Sequence, residues 1–342
     1  IFIMEIFWCI FLLILGLIII IKCGDWFVDA ASWFAEISGI PKLIVGATIV
    51  SLATTLPELL VSLFAAISAK TQSNPELVDM AIGNAVGSVT ANTGLILAIA
   101  LICIPTAIKR SEYALKSVLL ICASLVIALF GKFFNGVGIL ASICLLIIFG
   151  IAMCENIFMA IKNTKKEKEL HLEEITKKIP EKSRKTIFIN ILKFITGAIG
   201  IVVGAELLKN NGQKLAEMCG VPTRIISVTI IAIGTSLPEL VTTITAIVKK
   251  QASLSAGNII GANIIDLTLI LPICALIYGG NLPMTGAVST IDLPACFIVT
   301  IVALIPTLIT KKFSKIQGIL LLILYICYVV LTSAVSYTHL TL

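Results

Sequence analysis

The sequence predicts an all-α membrane protein with ten transmembrane helices arranged as two inverted repeats of five. Three observations predict this fold: the composition, the recurrence of long apolar runs, and a duplicated motif. Of the 342 residues, 58% are hydrophobic and 13% are charged, and the mean hydropathy is +1.10. Soluble chains are about one quarter charged, so this composition excludes a water-facing surface. Apolar runs long enough to cross about 30 Å of hydrocarbon recur along the whole chain.

Charged residues, prolines and glycine clusters separate the apolar runs into ten candidate spans. These spans are 4–23, 42–69, 77–104, 112–130, 136–161, 187–210, 221–247, 254–279, 291–310 and 315–334. The resulting division gives a first five-helix repeat (1–161), a loop (162–186) and a second repeat (187–335). Residues 336–342 form a polar tail outside the fold, and an origin of this tail in cloning is left open. The loop is too short to fold alone, so we interpret it as a solvated connection rather than a regulatory domain.

The distribution of basic residues predicts the orientation in a cell membrane. With the amino terminus outside, 19 lysines and arginines fall in inner segments and five in outer segments. Lysine and arginine are enriched in cytoplasmic loops, so this asymmetry favours a multi-pass protein with its central loop in the cytoplasm.

The composition also limits cofactors and partners. The ten cysteines contain no C-x-x-C spacing, and the two histidines, His171 and His339, lie in the charged loop and the tail. We therefore expect no disulfide framework, no zinc site and no cofactor. The expected surroundings are the lipid bilayer, with no nucleic-acid partner, and the sequence is compatible with a monomer. Nothing in it predicts an enzyme.

An internal repeat is visible by inspection. Residues 43–61, LIVGATIVSLATTLPELLV, match residues 224–242, RIISVTIIAIGTSLPELVT, and residues 83–97, GNAVGSVTANTGLIL, match 257–271, GNIIGANIIDLTLIL. Each half carries five spans, an odd number, so the two copies enter the membrane from opposite faces. Inverted repeats with a binding site near the midplane are typical of secondary transporters.

Each repeat places a glutamate, Glu58 or Glu239, inside an apolar span directly after a proline, Pro57 or Pro238. A charged group at this depth costs at least about 2.5–3.5 kcal/mol, which indicates function. A protonated carboxyl that only joins two helices is the alternative. Each proline also deprives an upstream carbonyl of its amide partner, which suits a lined cavity; a simple kink is the alternative.

Helical spacing gathers further oxygen-bearing side chains onto the same faces. They are Thr54, Thr235, Ser51 and Thr55 beside the glutamates, and Asn84, Ser88 and Asn92 with their repeat mates Asn258, Ala262 and Asp266. Carboxylate, hydroxyl, amide and carbonyl oxygens are the ligands that hard cations such as calcium prefer. Three carboxylates have charge for one divalent ion or up to three monovalent ions, which indicates coupling between the two.

On these motifs the chain resembles the sodium/calcium exchanger family over essentially all ten spans. T-[TS]-L-P-E and GN-x-x-G each occur twice, with GDWF at 24–27 and GAEL at 204–207. The resemblance implies exchange of Na⁺ for Ca²⁺ by alternating access, with both ions as transported substrates. It also implies that 4–23 and 187–210 slide against a core formed by the second, third, seventh and eighth helices.

The resemblance further implies a set of ligand roles. Glu58 and Glu239 would be shared by calcium and sodium; Thr54, Thr235, Ser51 and Ala232 would supply backbone carbonyls; Thr55 and Ser236 would supply hydroxyls; Ser88 would serve a peripheral sodium site; and Asn92 and Asp266 would line the middle.

One position departs from the family pattern, because Ala262 stands where a serine is usual. The missing hydroxyl weakens one peripheral sodium site, and a water or Asn263 are candidate replacements. Proton-coupled or potassium-dependent calcium/cation exchange is the alternative coupling.

Two other classes fit the sequence less well. A cation channel also uses acidic groups, but the inverted repeat argues against it. An intramembrane aspartyl protease needs two aspartates, and only Asp266 lies deep in a predicted span.

Overall fold

The structure is a computed structural model, and it describes residues 2–72, 75–103, 110–171, 183–219, 234, 236–284, 286 and 288–338. Eleven helical segments lie within these residues. They are α1 (Phe2–Ser38), α2 (Lys42–Thr54), α3 (Leu56–Gln72), α4 (Leu77–Cys103), α5 (Arg110–Phe133), α6 (Ile139–His171), α7 (Arg184–Met218), α8 (Leu237–Val248), α9 (Ala252–Tyr278), α10 (Val288–Thr310) and α11 (Lys315–Thr338).

The helices confirm a multi-pass membrane protein. Among the described residues, eight helices are long and apolar enough to cross a membrane. The consecutive segments α2 and α3, bent by 46° at Thr55, pass the same test together, which would make nine. The predicted seventh span falls partly on residues 220–233 and 235, which lie outside the described residues. Its described part is α8, an apolar helix of 12 residues.

The first, fifth and sixth predicted spans end too early; the fifth is predicted to end at residue 161, but α6 continues to His171, so the first ten residues of the predicted 162–186 loop are helical. The prediction stops the first helix at residue 23, but α1 runs to Ser38. Charges after Lys22 interrupt the hydropathy without interrupting the helix, because one face of the extension is buried through Phe27, Ala31 and Ala35. In the same way α7 continues to Met218, eight residues past the predicted end at 210.

Ion pairs hold the charged face of the α1 extension. The ammonium of Lys249, after α8, lies 2.7 Å from Asp29 Oδ1 and 3.3 Å from Asp25 Oδ1. Lys42 at the start of α2 lies 2.8 Å from Glu36 Oε1 and 2.7 Å from Gln251 Oε1. These contacts place the end of α1, the start of α2 and the α8–α9 connection at one end of the bundle.

Two short strands correct the all-helical prediction. Strand β1 (Gly136–Gly138) pairs antiparallel with β2 (Asn281–Pro283), and Val137 lies opposite Leu282. The helix of the fifth predicted span therefore begins at Ile139, three residues later than the predicted start at 136. Asn135 has φ 54° and Gly136 has φ 155°, so the chain turns before the helix starts. At Gly136 a Cβ would lie 2.4 Å from the Leu282 carbonyl oxygen, which requires glycine.

The apolar core divides into two parts. The larger cluster joins α3–α6 with α9 and α10, through residues such as Val86, Leu120 and Ile264. The smaller cluster joins α1, α7, α2 and the end of α8, through residues such as Ile20 and Val28. Within it, the rings of Phe27 and Phe194 stack with centroids 4.6 Å apart. Helices α1 and α7 thus pack against each other beside the larger bundle.

Helices α2 and α9 approach closely enough to require glycine. A Cβ on Gly257 would lie 2.1 Å from the Leu43 carbonyl oxygen, and a Cβ on Gly46 would lie 2.3 Å from the Leu254 carbonyl oxygen. Both neighbours are backbone atoms, so neither can move aside without shifting a helix. The repeat sequence thereby fixes the distance between two helices that carry candidate site residues.

We expect Gly257→Ala to destabilise the protein by about 1–3 kcal/mol, because the added methyl overpacks α2 against α9. Thermal unfolding of the detergent-solubilised protein measures the loss. The matched control is Gly150→Ala on α6, since no described atom lies within 4 Å of a Cβ at Gly150. Equal melting temperatures for the two variants would contradict the close packing.

Candidate functional site

The three carboxyl groups expected inside the membrane are all buried in the bundle. Glu58 lies in the first turn of α3, Glu239 in the first turn of α8, and Asp266 in the middle of α9. Their side chains are at most 1% exposed.

Helix breaks position the two glutamates in the same way. Thr55 separates α2 from α3 with φ −86° and ψ −2°, and its repeat mate Ser236 precedes α8 with φ −89° and ψ 9°. In both cases the proline occupies the first turn of the following helix, where its missing amide hydrogen costs least. In the first repeat the distorted turn expected before the proline is therefore present at Thr55; in the second repeat, residues 220–233 and 235 lie outside the described residues. Both glutamates lie at a helix start.

A second irregularity recurs in α4 and α9. A π-helical turn begins at Asn92 in α4 and at Asp266 in α9, which are repeat mates. Such turns often occur at functional sites because they rotate side chains out of regular register. Here each turn begins at a residue expected to line the middle of the site.

Many buried side-chain oxygens at this place make no hydrogen bond among the described residues. They are both carboxylate oxygens of Glu58 and of Asp266, Oε2 of Glu239, Oγ of Ser88, Oδ1 of Asn92 and Oγ of Ser236. Buried polar atoms are nearly always paired, so such a concentration of acceptors indicates a ligand that the protein itself does not supply. Oxygens with negative charge suit a hard cation.

Side chains from the α2–α3 break contribute further oxygens. Thr55 Oγ1 lies 2.7 Å from the Ser51 carbonyl oxygen and 3.4 Å from Oε1 of Glu239, and it joins the two repeats. Thr54 Oγ1 lies 3.3 Å from both the Ser51 carbonyl oxygen and Asn258 Oδ1. The Ser51 carbonyl therefore accepts from both threonine hydroxyls. The corresponding residues of the second repeat, Thr235 and Ala232, lie outside the described residues.

Two asparagines of the GN motifs brace the glutamate-bearing helices. Asn84 Nδ2 donates to the Glu58 carbonyl oxygen at 3.0 Å and to Ser62 Oγ at 2.9 Å. In the other repeat, Asn258 Nδ2 donates to Thr242 Oγ1 at 3.0 Å. The sequence places these asparagines on the polar face, but it does not predict their partners. Ser62 and Thr242 each follow a glutamate by about one turn, a spacing that could have found them.

The position of Ala262 gives the site an asymmetry. Ser88 is buried, and its hydroxyl has no hydrogen-bond partner in the described part of the chain, whereas its mate Ala262 presents a buried methyl group. The neighbouring Asn263, expected as a replacement ligand, bonds instead to α4: it accepts from Asn92 Nδ2 at 3.2 Å and donates to Thr93 Oγ1 at 2.7 Å. Thr93 is a site neighbour that the sequence reasoning missed.

The ligand set must combine several chemical types. Among the described residues, no three His, Cys, Asp or Glu side chains come close enough to hold one metal ion. A cation bound between the carboxylates therefore also needs hydroxyl, amide or backbone carbonyl oxygens. The breaks in α2–α3 and before α8, with the π-helical turns, bring such oxygens to the same region.

The fold and this buried acidic centre are those of an integral membrane protein of the transporter type. The sodium/calcium exchanger protein family matches residues 8–158 and 189–334. The chain belongs to this family, and the resemblance inferred from the two motif pairs is confirmed.

Individual relatives cover nearly the whole chain. An uncharacterized membrane protein of Methanocaldococcus jannaschii is 30% identical over 318 residues, which are 92% of this chain and 94% of the relative. The sodium/calcium exchanger MaX1 of Methanosarcina acetivorans is 26% identical over 353 residues, covering 93% of this chain and 97% of its own length. A solved structure of the sodium-calcium exchanger NCX_Mj superposes with a TM-score of 0.77 at 26% identity, over 95% of this chain and 99% of its own.

We expect Thr55→Val to weaken calcium binding about three- to tenfold, because an isosteric methyl replaces an oxygen beside Glu239 and a hydrogen bond is worth about 0.5–1.5 kcal/mol. The calcium dependence of the melting temperature measures the change. Thr300→Val on α10 is the control, since its buried hydroxyl bonds only the Cys296 carbonyl oxygen at 2.7 Å. An equal shift of the calcium midpoint in both variants would contradict a role for Thr55 in the site.

Proposed function

We propose that the chain is a secondary antiporter that exchanges sodium for calcium across the membrane by alternating access. The observation that carries this proposal is the set of buried carboxylate oxygens, both of Glu58 and of Asp266 and Oε2 of Glu239, that have no hydrogen-bond partner among the described residues, in a member of the sodium/calcium exchanger family. The named relatives MaX1 and NCX_Mj are themselves sodium/calcium exchangers. Proton-coupled or potassium-dependent exchange is not favoured by these comparisons.

We further propose ten transmembrane helices, and two contacts support this number. Strands β1 and β2 pair, so the α5–α6 connection, which contains β1, and the α9–α10 connection, which contains β2, lie at the same face of the membrane. Only three of the eight long helices, α6, α7 and α9, lie between these strands. An odd number of crossings would put the strands on opposite faces, so the segment that contains α8 is needed as a fourth crossing.

The second contact concerns the bent pair α2–α3. Lys42 bonds Gln251 at 2.7 Å, so the start of α2 and the start of α9 share a face. Between them lie α4, α5, α6, α7 and the crossing that contains α8. Five crossings would put the two helix starts on opposite faces, so a sixth crossing is needed. Helices α2 and α3 supply it as one bent span. Eight long helices with these two additional crossings give ten.

The same count supports two inverted repeats, 1–161 and 187–335, joined by the connection between α6 and α7. Matched residues lie on spans that are five crossings apart, so the two spans cross the membrane in opposite directions. The matched helix breaks at Thr55 and Ser236, and the matched π-helical turns at Asn92 and Asp266, are what two copies of one structure would show. The excess of basic residues places the amino terminus outside and the central loop in the cytoplasm.

The proposed mechanism assigns the shared ligand roles to Glu58 and Glu239. Sodium and calcium compete for these carboxylates, with backbone carbonyls from Thr54, Thr235, Ser51 and Ala232 and hydroxyls from Thr55 and Ser236. Ser88 serves a peripheral sodium ion, and Asn92 and Asp266 line the centre. The separately packed pair α1 and α7 moves against the larger bundle to change access.

We expect Glu239→Gln to reduce sodium-dependent calcium uptake at least tenfold, because one carboxylate shared by both ions loses its charge; a tenfold effect corresponds to about 1.4 kcal/mol. Proteoliposomes loaded with sodium and diluted into sodium-free buffer provide the assay. The control is Glu217→Gln at the exposed end of α7, where the carboxylate accepts from Gln213. Uptake driven by a pH gradient without sodium would contradict sodium coupling.

The ten-helix topology predicts which inserted cysteines a membrane-impermeant thiol reagent reaches in intact cells. In a background with Cys219→Ser, Phe134→Cys beside β1 and Asn281→Cys in β2 should both react from outside, because their connections share that face. Ser314→Cys, between α10 and α11, should react only after permeabilisation. All three wild-type side chains are exposed. Reaction of Phe134→Cys and Asn281→Cys from opposite faces would exclude the ten-helix arrangement.

A further inference from the structure

A buried amide chain links α9 to α4 beside the proposed cation site. Asn263 is 1% exposed, and both polar atoms of its side chain are engaged. Its Oδ1 accepts from Asn92 Nδ2 at 3.2 Å, and its Nδ2 donates to Thr93 Oγ1 at 2.7 Å. The hydrogen bonds therefore run in one direction, from Asn92 to Asn263 to Thr93.

This direction decides which end of the Asn92 amide is free. Asn92 uses its Nδ2 to reach Asn263, and its Oδ1 is buried without a hydrogen-bond partner among the described residues. An amide oxygen is a ligand for a hard cation, whereas an amide NH₂ group repels one. The two ends of an amide have nearly the same shape, so packing cannot select between them; only the hydrogen-bond partner does.

The three hydrogen-bonding side chains could also bond in the opposite direction. The Thr93 hydroxyl is both donor and acceptor, so it could donate to Asn263 Oδ1. Asn263 would then donate to Asn92 Oδ1 and leave the Asn92 NH₂ group facing the carboxylates. A cation beside Asn92 favours the first polarity, and the empty acidic site favours the second. The Asn263 side chain is the element through which the two arrangements differ.

We infer that Asn263 is a positioning residue that turns the carboxamide oxygen of Asn92 toward the bound cation and is itself oriented by Thr93. This inference rests on the proposed function, because it concerns the affinity of the same site. It also gives a role to the side chain next to Ala262. Asn263, on α9, does not replace the absent hydroxyl as a ligand but orients the Asn92 amide on α4.

The test measures the calcium midpoint for thermal stabilisation of the purified full-length protein. Asn263→Leu keeps the approximate volume and removes both hydrogen bonds, so we expect the midpoint to rise about tenfold. Asn263→Asp accepts from both Asn92 Nδ2 and the Thr93 hydroxyl, so it should keep the midpoint at or below the wild-type value. A merely structural role would lower the melting temperature in both variants without this separation of midpoints.

A double-mutant cycle shows whether Asn263 acts through Asn92. In an Asn92→Ala background, Asn263→Leu should change the midpoint less than twofold, since no amide remains to be oriented. Independent, multiplicative effects of the two substitutions would overturn the inference. If Asn263→Leu does not fold, Thr93→Val against Thr93→Ser supplies the same comparison: the valine variant should raise the midpoint several-fold and the serine variant should not.

The outcome for the wild-type protein separates this inference from the proposed function. Absence of any calcium-dependent stabilisation or sodium-driven calcium uptake in the wild type would overturn the proposed function. Normal uptake by the wild type together with unchanged midpoints in Asn263→Leu and Thr93→Val would overturn the role of Asn263 alone.

Discussion

Burial of Glu58, Glu239 and Asp266 inside a membrane-spanning bundle is the constraint on which the rest of the structure depends. The three carboxyl groups are at most 1% exposed, and most of their oxygens have no hydrogen-bond partner among the described residues. Such an arrangement is costly in hydrocarbon unless cations neutralise it. The helix breaks and π-helical turns follow from this need, because a regular helix directs its carbonyls along its own axis and offers no backbone oxygens sideways.

The close packing of α2 on α9 serves the same constraint. Cation ligands must be held within a few tenths of an ångström, so the helices that carry them require fixed separations. Gly46 and Gly257 bring two backbones together where any side chain would collide with a carbonyl. The asparagines Asn84 and Asn258 then tie the glutamate-bearing helices to their neighbours. Glycine contact and amide bracing thus restrict the motion of the acidic centre, while α1 and α7 pack in a smaller cluster that they share with α2 and the end of α8.

The elements predictable from sequence are those governed by lipid. The glutamates were identified because a charge within an apolar run is conspicuous, and the breaks were expected because proline lacks an amide hydrogen. The extension of α1 to Ser38 was not predictable from hydropathy, since its acidic face is paired with Lys249, which is distant in sequence, and with Lys42, six positions after Glu36. The β1–β2 pairing and the contact of Asn263 with Asn92 were not predictable for a similar reason, because both join residues more than 140 positions apart.

The differences between the two repeats carry the last step of the argument. Two identical halves would give a site with symmetric oxygens, but the repeat mate of Asn92 is Asp266, and the repeat mate of Ser88 is Ala262. The net charge of the centre is therefore unevenly divided, with Asp266 adding a carboxylate on the side of α9. Because Glu58 and Glu239 come one from each repeat, any cation held between them contacts both halves and competes with every other cation for the same oxygens. In the proposed mechanism, competition for shared charge makes sodium and calcium mutually exclusive at the centre. A site of this kind couples the two ions by exchange rather than by joint transport.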